Sequence, residues 1–187
     1  MTREQAFKIL KKYNQEEYHI KHALMVESIM KHFARIKNYE EEFWGNVGLL
    51  HDMDYEMYPM EHCKKASELL KQEGVEDNFI HAVCSHGYNI CSDIKPEHEM
   101  EKVLYACDEL AGIIASLINM RPSKNAQGME VSTLKKKFKD KTFARGCNRE
   151  IIKSGAEMLN MDLTELFEQA IKAIESDEEK INLEMKL

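Results

Sequence analysis

The sequence has few of the residues that interrupt helices or build sheets. Only 8 glycines and 3 prolines occur among its 187 residues, so turn signals are sparse. No run alternates β-branched or aromatic residues with polar ones, as a half-buried strand would. Good helix formers such as Lys, Glu, Leu, Met and Ala recur throughout. These features predict an all-α protein, folded as a compact single-domain helical bundle.

Cysteine pairs and long apolar runs are also missing. The five cysteines are an odd number without a CxxC pair, which argues against a disulfide framework and a thiolate zinc site. No apolar stretch is expected to be long enough to cross a bilayer. The N-terminal segment is amphipathic and carries Glu4, unlike a signal peptide. We therefore expect a cytoplasmic protein without a membrane partner.

Helical periodicity predicts the order of the elements. A short helix containing Phe7, Leu10 and Tyr13 is followed by helices over 16–36, 40–51, 60–72, 77–87, 99–120, 131–139 and 147–160. A last helix begins at Asp162, and the charged tail after Ser176 is expected to fray. We predict one domain over 1–187, with a motif-bearing core at about 16–120 and a basic helical extension at about 121–176.

The net charge of -7 argues against a general nucleic-acid coat protein. The segment from Arg121 to Lys153 nevertheless holds ten Lys/Arg and three Asp/Glu, a local balance of +7. A basic segment on an acidic chain indicates a local site for an anion. The simpler alternative is that these basic residues form a solvated face. The segment also lacks the regularly interleaved aromatic residues of a surface that binds single-stranded nucleic acid.

Four histidines fall on the apolar faces of predicted helices, namely His22, His51, His62 and His86. One inward histidine is ordinarily a hydrogen-bonded core residue. Four of them from four helices are harder to explain in that way, because each buried imidazole needs its polar atoms satisfied.

Asp108 strengthens this argument because it lies within VLYACDELAGIIASLI, the most apolar predicted helix. A buried carboxylate without a partner is costly, and no Lys or Arg occurs between Lys102 and Arg121. The adjacent residues His51 and Asp52 lie at the end of the helix predicted over 40–51, where both side chains can reach one ion. Imidazole with carboxylate suits Fe, Mn, Zn, Ni or Co better than Ca or Mg alone.

The order H…HD…D resembles the HD-domain superfamily of metal-dependent phosphohydrolases, and in particular its small stand-alone bacterial members. His22, the pair His51-Asp52 in GLLHDMDYE and Asp108 in YACDELAGI match the motif, and the resemblance covers about 20–118. It implies a helical bundle of the HD-domain type that holds a divalent metal on these four residues.

Some family members carry two further histidines between the HD pair and the final Asp, and these hold a second ion. His62 and His86 fall in matching places, so the cofactor is expected to be one ion or two. In the one-ion case these histidines would bind substrate phosphate or donate protons. The GYP triad of cyclic-dinucleotide phosphodiesterases is missing beside the HD pair.

The resemblance implies hydrolysis of a phosphomonoester or phosphodiester, with a nucleotide as the expected substrate, by a metal-activated water. Asp52 would hold metal and orient the water. Glu56 or Asp54 would be the general base, although both also fit a solvated acidic turn. Basic residues proposed to contact phosphate are Arg121, Lys124, Lys137, Arg145 and Arg149. Tyr55 and Tyr58 are candidates for base stacking.

Three other functions are compatible with parts of this pattern. A metal- or nucleotide-binding module without turnover would use the same ligands. A nucleic-acid-binding protein would use the basic segment, but the negative net charge of the chain argues against this function. A di-iron oxygenase bundle would need a pair of Glu-x-x-His motifs on its helices, and no such pair is found.

Overall fold

The structure is a computed structural model that describes residues 1–186. Within that range the chain forms nine α-helices and no β-strand, which confirms the all-α prediction. The helices are α1 (Arg3–Tyr13), α2 (Glu17–Ile36), α3 (Glu41–Leu50), α4 (Lys64–Gln72), α5 (Asp77–Ser85), α6 (Glu99–Met120), α7 (Val131–Lys139), α8 (Arg149–Met158) and α9 (Leu163–Glu184).

Two long helices, α2 and α6, pack against each other at the centre of the bundle. Helices α3 and α9 lie on α2, while α8 lies on α6. One cluster of buried apolar side chains runs from Ala6 in α1 to Ile181 in α9. The basic extension therefore contributes to the same core as the motif-bearing helices.

A glycine allows α3 to approach α2 closely. A Cβ on Gly48 would lie 2.7 Å from the Met30 side chain and 3.1 Å from the Val26 carbonyl oxygen, so no larger residue fits without moving α3. Gly48 precedes His51 by one helical turn, and Val26 follows His22 by one turn on α2. The close contact thus brings His51 beside His22.

Helix α6 departs from the sequence-based expectation about membrane spans. Its length and composition would allow it to cross a bilayer, although 67% of its apolar window is buried inside the structure. The residues on most of its faces contact neighbouring helices, from Val103 and Leu104 through Ile113 and Ile114. Burial between helices accounts for its composition, since a helix surrounded by others has few exposed positions.

The helix predicted over 60–72 begins later than expected. A 3-10 turn occupies Pro59–Glu61 and α4 starts only at Lys64. Between them Cys63 has a φ of 64°, which breaks the helical path. His62 therefore lies on a bend before α4 and not on the helix itself, which corrects the prediction that it lies on the apolar face of that helix.

The chain remains helical after Ser176 as far as Glu184, so over these residues the prediction that the tail frays was wrong. Helix α9 continues to Glu184, and Ile181 is buried against the core. The Glu178 carboxylate accepts a hydrogen bond from the Ala126 backbone N–H at 2.7 Å, and Glu184 pairs with Arg3 of α1. These contacts hold the last turns of α9 on the bundle. The charge pattern alone did not reveal them.

Candidate metal centre

The four motif residues converge on one point. His22 from the middle of α2 and His51 at the end of α3 place their Nε2 atoms 3.3 Å apart. The Asp108 Oδ1 atom lies 3.0 Å from the Nε2 of His22 and 3.3 Å from that of His51. Asp52 completes this first group, and all four ligand atoms lie within 4.8 Å of one another. Three elements distant in sequence are thus brought together as the motif predicted.

The two additional histidines form a second group with Asp52. His62 on the bend before α4 and His86 at the end of α5 place their Nε2 atoms 3.0 Å apart. The Asp52 Oδ1 atom lies 3.2 Å from the Nε2 of His62 and 3.3 Å from that of His86. This group supplies two imidazoles and one carboxylate oxygen to a single point.

Asp52 belongs to both groups through different oxygens. Its Oδ2 faces the first group, 3.4 Å from His51 Nε2 and 3.9 Å from His22 Nε2, while its Oδ1 faces the second group. The two sets therefore lie on opposite sides of one carboxylate. A carboxylate in this position can bridge two cations.

Backbone carbonyls fix the tautomers of two of these rings. The Nδ1 of His51 lies 2.7 Å from the Gly48 carbonyl oxygen, and the Nδ1 of His86 lies 2.6 Å from that of Val83. A carbonyl only accepts, so both Nδ1 atoms carry the proton. The Nε2 atoms then present lone pairs to the centre whenever the rings are neutral, as metal ligation requires.

Asp54 orients the ring of His62 in the same way. This carboxylate is fully buried, with 0% exposure; its Oδ1 lies 2.8 Å from His62 Nδ1, and its Oδ2 accepts from the Ala66 backbone N–H at 2.8 Å. Asp54 thus connects the bend to the first turn of α4. The alternative role as a general base does not fit a carboxylate occupied on both oxygens.

The donor set fits a divalent transition metal. In the second group, lone-pair atoms of His62, His86 and Asp52 face each other at 3.0–3.3 Å, which is repulsive without a cation or proton between them. Such spacings are those of adjacent ligands around an ion with bonds of about 2.0–2.2 Å. The first group has the same spacing and one more ligand. Both groups could therefore hold a metal ion.

The carboxylates also raise the proton affinity of these histidines. Burial lowers the pKa of His51, but Asp52 and Asp108 outweigh burial and raise that pKa well above its usual value. Burial likewise opposes the shift at His62, where hydrogen bonds with Asp52 and Asp54 raise the pKa to about 10. An ion entering either group therefore competes with protons for the same nitrogens.

Glu56, predicted as a catalytic base, serves another purpose. Its Oε2 accepts hydrogen bonds from the backbone N–H groups of Gln15 and Glu16, each at 3.0 Å. These residues lead into α2, so the carboxylate satisfies the free N–H groups before that helix. The geometry supports a structural role for Glu56 in place of the catalytic one.

Three of the basic residues predicted to contact phosphate are occupied by backbone carbonyls. The Arg149 guanidinium donates to several carbonyls of the preceding loop, among them those of Ala144 and Cys147 at 2.7 Å. Arg121 donates to the carbonyls of Ala126 and Gln127, and Lys124 to that of Asn119. Their side chains close loops, and a phosphate would have to displace these bonds.

The two remaining basic candidates differ in their surroundings. The Lys137 ammonium lies 4.9 Å from the centre of the Phe143 ring, a cation–π contact. Arg145 is exposed, and within residues 1–186 its guanidinium makes no hydrogen bond or ion pair. Arg145 is thus the predicted phosphate contact whose side chain is not already engaged.

The loop that carries Arg145 folds back onto the helix of Asp108. The backbone N–H of Asn148 donates to the Glu109 carboxylate at 3.0 Å, and the Cys147 sulfur lies so close to Gly112 that an added Cβ would be 2.8 Å from it. Burial and the adjacent Asp108 carboxylate raise the pKa of Glu109 to about 7. This loop therefore packs against the turn of α6 that follows Asp108.

Aromatic side chains border the second group. The Tyr55 ring, 43% exposed, lies edge-on to the His62 ring with centroids 5.1 Å apart. Tyr58, the other predicted stacking residue, lies instead under the Lys65 ammonium at 5.8 Å. Only Tyr55 of the two is therefore shown to contact a candidate metal ligand.

Tyr18 is a further candidate site residue that was not among the sequence-based predictions. It is 64% exposed and lies one turn before His22 on α2, edge-on to His19 at 5.5 Å. The buried part of this side chain, with nearby Cys147 and the carboxylate of Asp108, raises the pKa of Tyr18. The i, i+4 spacing from His22 was the signal that would have placed it beside the ligands.

Comparisons with protein-family models, with curated proteins and with solved structures found no match for this chain.

Proposed function

We propose that this protein is a metal-dependent phosphohydrolase of the HD-domain type, which cleaves a phosphomonoester or phosphodiester bond of a nucleotide. The observation that carries the proposal is the position of Asp52, whose two oxygens face two separate ligand groups. The order of the ligands along the chain, His22, His51-Asp52 and Asp108, supports the HD-domain assignment. We further propose that two ions bind, since each group supplies at least three ligands.

The donor set supports the proposed reaction class. Two divalent ions bound at these groups would lower the pKa of a coordinated water toward neutrality and offset the charge of phosphoryl oxygens. Asp52 would hold both ions at a fixed separation. The carbonyls of Gly48 and Val83 and the carboxylate of Asp54 keep the imidazoles of His51, His86 and His62 in the ligating tautomer.

The open side of the centre lies at its carboxylates. The side chains of Asp52 and Asp108 are 22% and 20% exposed, whereas that of His51 is fully buried. A substrate would therefore approach over the carboxylates. Tyr18, one turn before His22, and Tyr55, beside His62, are exposed rings that would suit a nucleobase. The exposed Arg145 guanidinium would suit phosphate.

The proposal is tested by chromatographic analysis of the products formed from a panel of nucleoside mono-, di- and triphosphates, dinucleotides and simple phosphoesters, because cleavage of a diester releases no inorganic phosphate. Protein stripped by chelator would be reconstituted with Mn, Fe, Co, Ni or Zn before each assay. We expect turnover that needs metal and is lost in Asp108→Ala but kept in Glu56→Gln. Tight metal binding without turnover of any member would instead identify a non-catalytic metal- or nucleotide-binding module.

A further inference from the structure

Two cysteine sulfurs meet beside the second ligand group. The Sγ atoms of Cys63 and Cys91 lie 3.4 Å apart. Cys63 directly follows His62 in the chain, whereas Cys91 comes from the loop after His86. All five cysteines are free thiols in the structure, and this pair is within van der Waals contact.

The loop after His86 is built to bring Cys91 back toward Cys63. The backbone N–H groups of Ile90, Cys91 and Ser92 all point to the Gly87 carbonyl oxygen, at 2.9–3.0 Å. A Cβ on Gly87 would lie 2.6 Å from each of the two sulfurs. Glycine is therefore required at this position, because both sulfurs lie over its Cα.

Cys63 reaches the pair from an unusual backbone conformation. Its φ of 64° is rare for a residue other than Gly, Asn or Asp, and such conformations persist where the surroundings enforce them. The neighbouring Lys64 N–H donates to the His62 carbonyl at 2.8 Å, which tightens the bend. Cys63 is 2% exposed and Cys91 is exposed, so an oxidant reaches Cys91 first.

We propose that Cys63 and Cys91 are a thiol-oxidation site, at which a peroxide forms a disulfide that staples the loop after His86 to the bend carrying His62. The sulfurs need to approach to about 2.05 Å, a shift that an exposed loop residue can make. The disulfide would enclose α4 and α5, which lie between His62 and His86 in the chain.

The chemistry is a two-electron oxidation of the thiol pair. The Cys91 sulfur attacks one oxygen of hydrogen peroxide; an S–O bond forms, the O–O bond breaks and water leaves, giving a sulfenic acid. The Cys63 sulfur then attacks the Cys91 sulfur; the S–S bond forms, the S–O bond breaks, and the proton of Cys63 leaves with the hydroxyl as water. Two thiols and one peroxide become one disulfide and two waters.

The test is alkylation of reduced full-length protein before and after brief treatment with hydrogen peroxide, followed by peptide mapping. After denaturation, we expect all five free thiols to alkylate in untreated protein and two fewer in peroxide-treated protein, with a Cys63–Cys91 cross-linked peptide. Cys91→Ser should lose the cross-link, while the matched control Cys147→Ser should keep it. A link to Cys84, whose sulfur lies 3.3 Å from the Cys63 carbonyl, or sulfinic acid on Cys91 without any link, would overturn the proposal.

A second measurement tests how the disulfide affects metal binding at the second ligand group. This part rests on the proposed function. Release of bound metal into excess chelator should be slower from the oxidised protein than from the reduced one. Faster release would mean that the disulfide distorts the group, which contradicts the staple. Failure of the protein to bind metal would leave the cross-link map intact, so the two proposals can fail separately.

Discussion

The Nε2 atoms of His62 and His86 face each other at 3.0 Å while the opposite nitrogen of each ring is already held by an acceptor. The Nδ1–H groups donate hydrogen bonds to Asp54 and to the Val83 carbonyl. Because these bonds fix the orientation of both rings, neither ring can turn its Nε2 lone pair away from the other. The Asp52 Oδ1 adds a third lone pair at 3.2–3.3 Å. A proton on one ring relieves part of this repulsion, whereas a metal ion between them can accept a lone pair from all three atoms.

The first prediction concerns Asp54, which orients His62 but does not face the centre. In Asp54→Asn the side chain keeps its size but offers an amide to the His62 Nδ1–H. We expect affinity for the second ion to fall about 10- to 100-fold, with the first ion retained. Competition with a fluorescent chelator measures both affinities.

Glu56→Gln is the matched control for this substitution, since Glu56 lies two residues away and its carboxylate caps the chain before α2. It should leave both metal affinities unchanged. Equal effects of the two substitutions would show that Asp54 does not act through His62.

The second prediction separates two neighbouring arginines. Arg149→Ala removes hydrogen bonds to several carbonyls of the loop and should lower the free energy of unfolding by about 2 kcal/mol. Arg145→Ala removes an exposed side chain and should change stability by less than about 0.5 kcal/mol. Urea unfolding measures both.

The same pair tests phosphate contact. If Arg145 binds substrate phosphate as proposed, Arg145→Ala should raise KM without lowering the unfolding midpoint. An unchanged KM would remove Arg145 from the site and leave the basic segment as a structural and solvated surface.

The third prediction concerns pH and the pair between Arg3 and Glu27. The Glu27 side chain, 4% exposed, accepts from Arg3 at 2.7 and 2.8 Å and also pairs with Lys31. Burial raises the pKa of Glu27, but Arg3 and Lys31 outweigh burial and lower it below the usual value. A lowered folded-state pKa stabilises the protein above the unfolded-state pKa, and this contribution is lost as the pH falls through the folded-state pKa.

Glu27→Gln should therefore destabilise the protein by about 2 kcal/mol at pH 7, less than for a fully buried pair because Arg3 is partly exposed. The difference from wild type should shrink below pH 4. Glu157→Gln on the exposed face of α8 is the control, with little effect at either pH. A difference independent of pH would show that packing, and not charge, accounts for the loss.

The fourth prediction tests the aromatic border of the centre. Tyr55→Leu keeps an apolar side chain but removes the ring beside His62. If a nucleobase stacks there, KM for a nucleotide should rise by about tenfold, since one stacking contact is worth about 1–3 kcal/mol. KM for an aliphatic phosphoester such as glycerol phosphate should stay the same. A parallel rise for both substrates would mean that Tyr55 acts on the ligand group itself.

The helix order and the ligand set were predictable because each depends on local pattern. Apolar spacing defined α2 and α6, and the inward His22 and Asp108 stood out as polar residues on apolar faces. The proximity of His22 to His51 also has a local signal in Gly48, which permits the close approach of α3.

Other features depend on tertiary contacts that no local pattern contains. Two contacts hold the end of α9: Glu178 accepts a hydrogen bond from the Ala126 N–H, and Glu184 forms an ion pair with Arg3. In both contacts the partners are far apart in sequence. The side chains of Arg149 and Glu56 form hydrogen bonds with backbone groups of loops. Such contacts cannot be predicted from the amino-acid composition, because nearly every residue carries the same backbone groups. For this reason, charged residues near the motif were predicted to act on the substrate, whereas in the structure their side chains bind backbone groups and stabilise loops.

The most direct test of the central claim is metal content by mass spectrometry on protein reconstituted with Mn, Fe, Co, Ni or Zn and freed of unbound ions. The account predicts two ions per chain in wild type, one in His86→Ala, which keeps the first group, and one in Asp108→Ala, which keeps the second. Asp52→Ala should lose both. Wild type without any bound ion, or a wild-type stoichiometry that Asp52→Ala leaves unchanged, would contradict a centre built on Asp52.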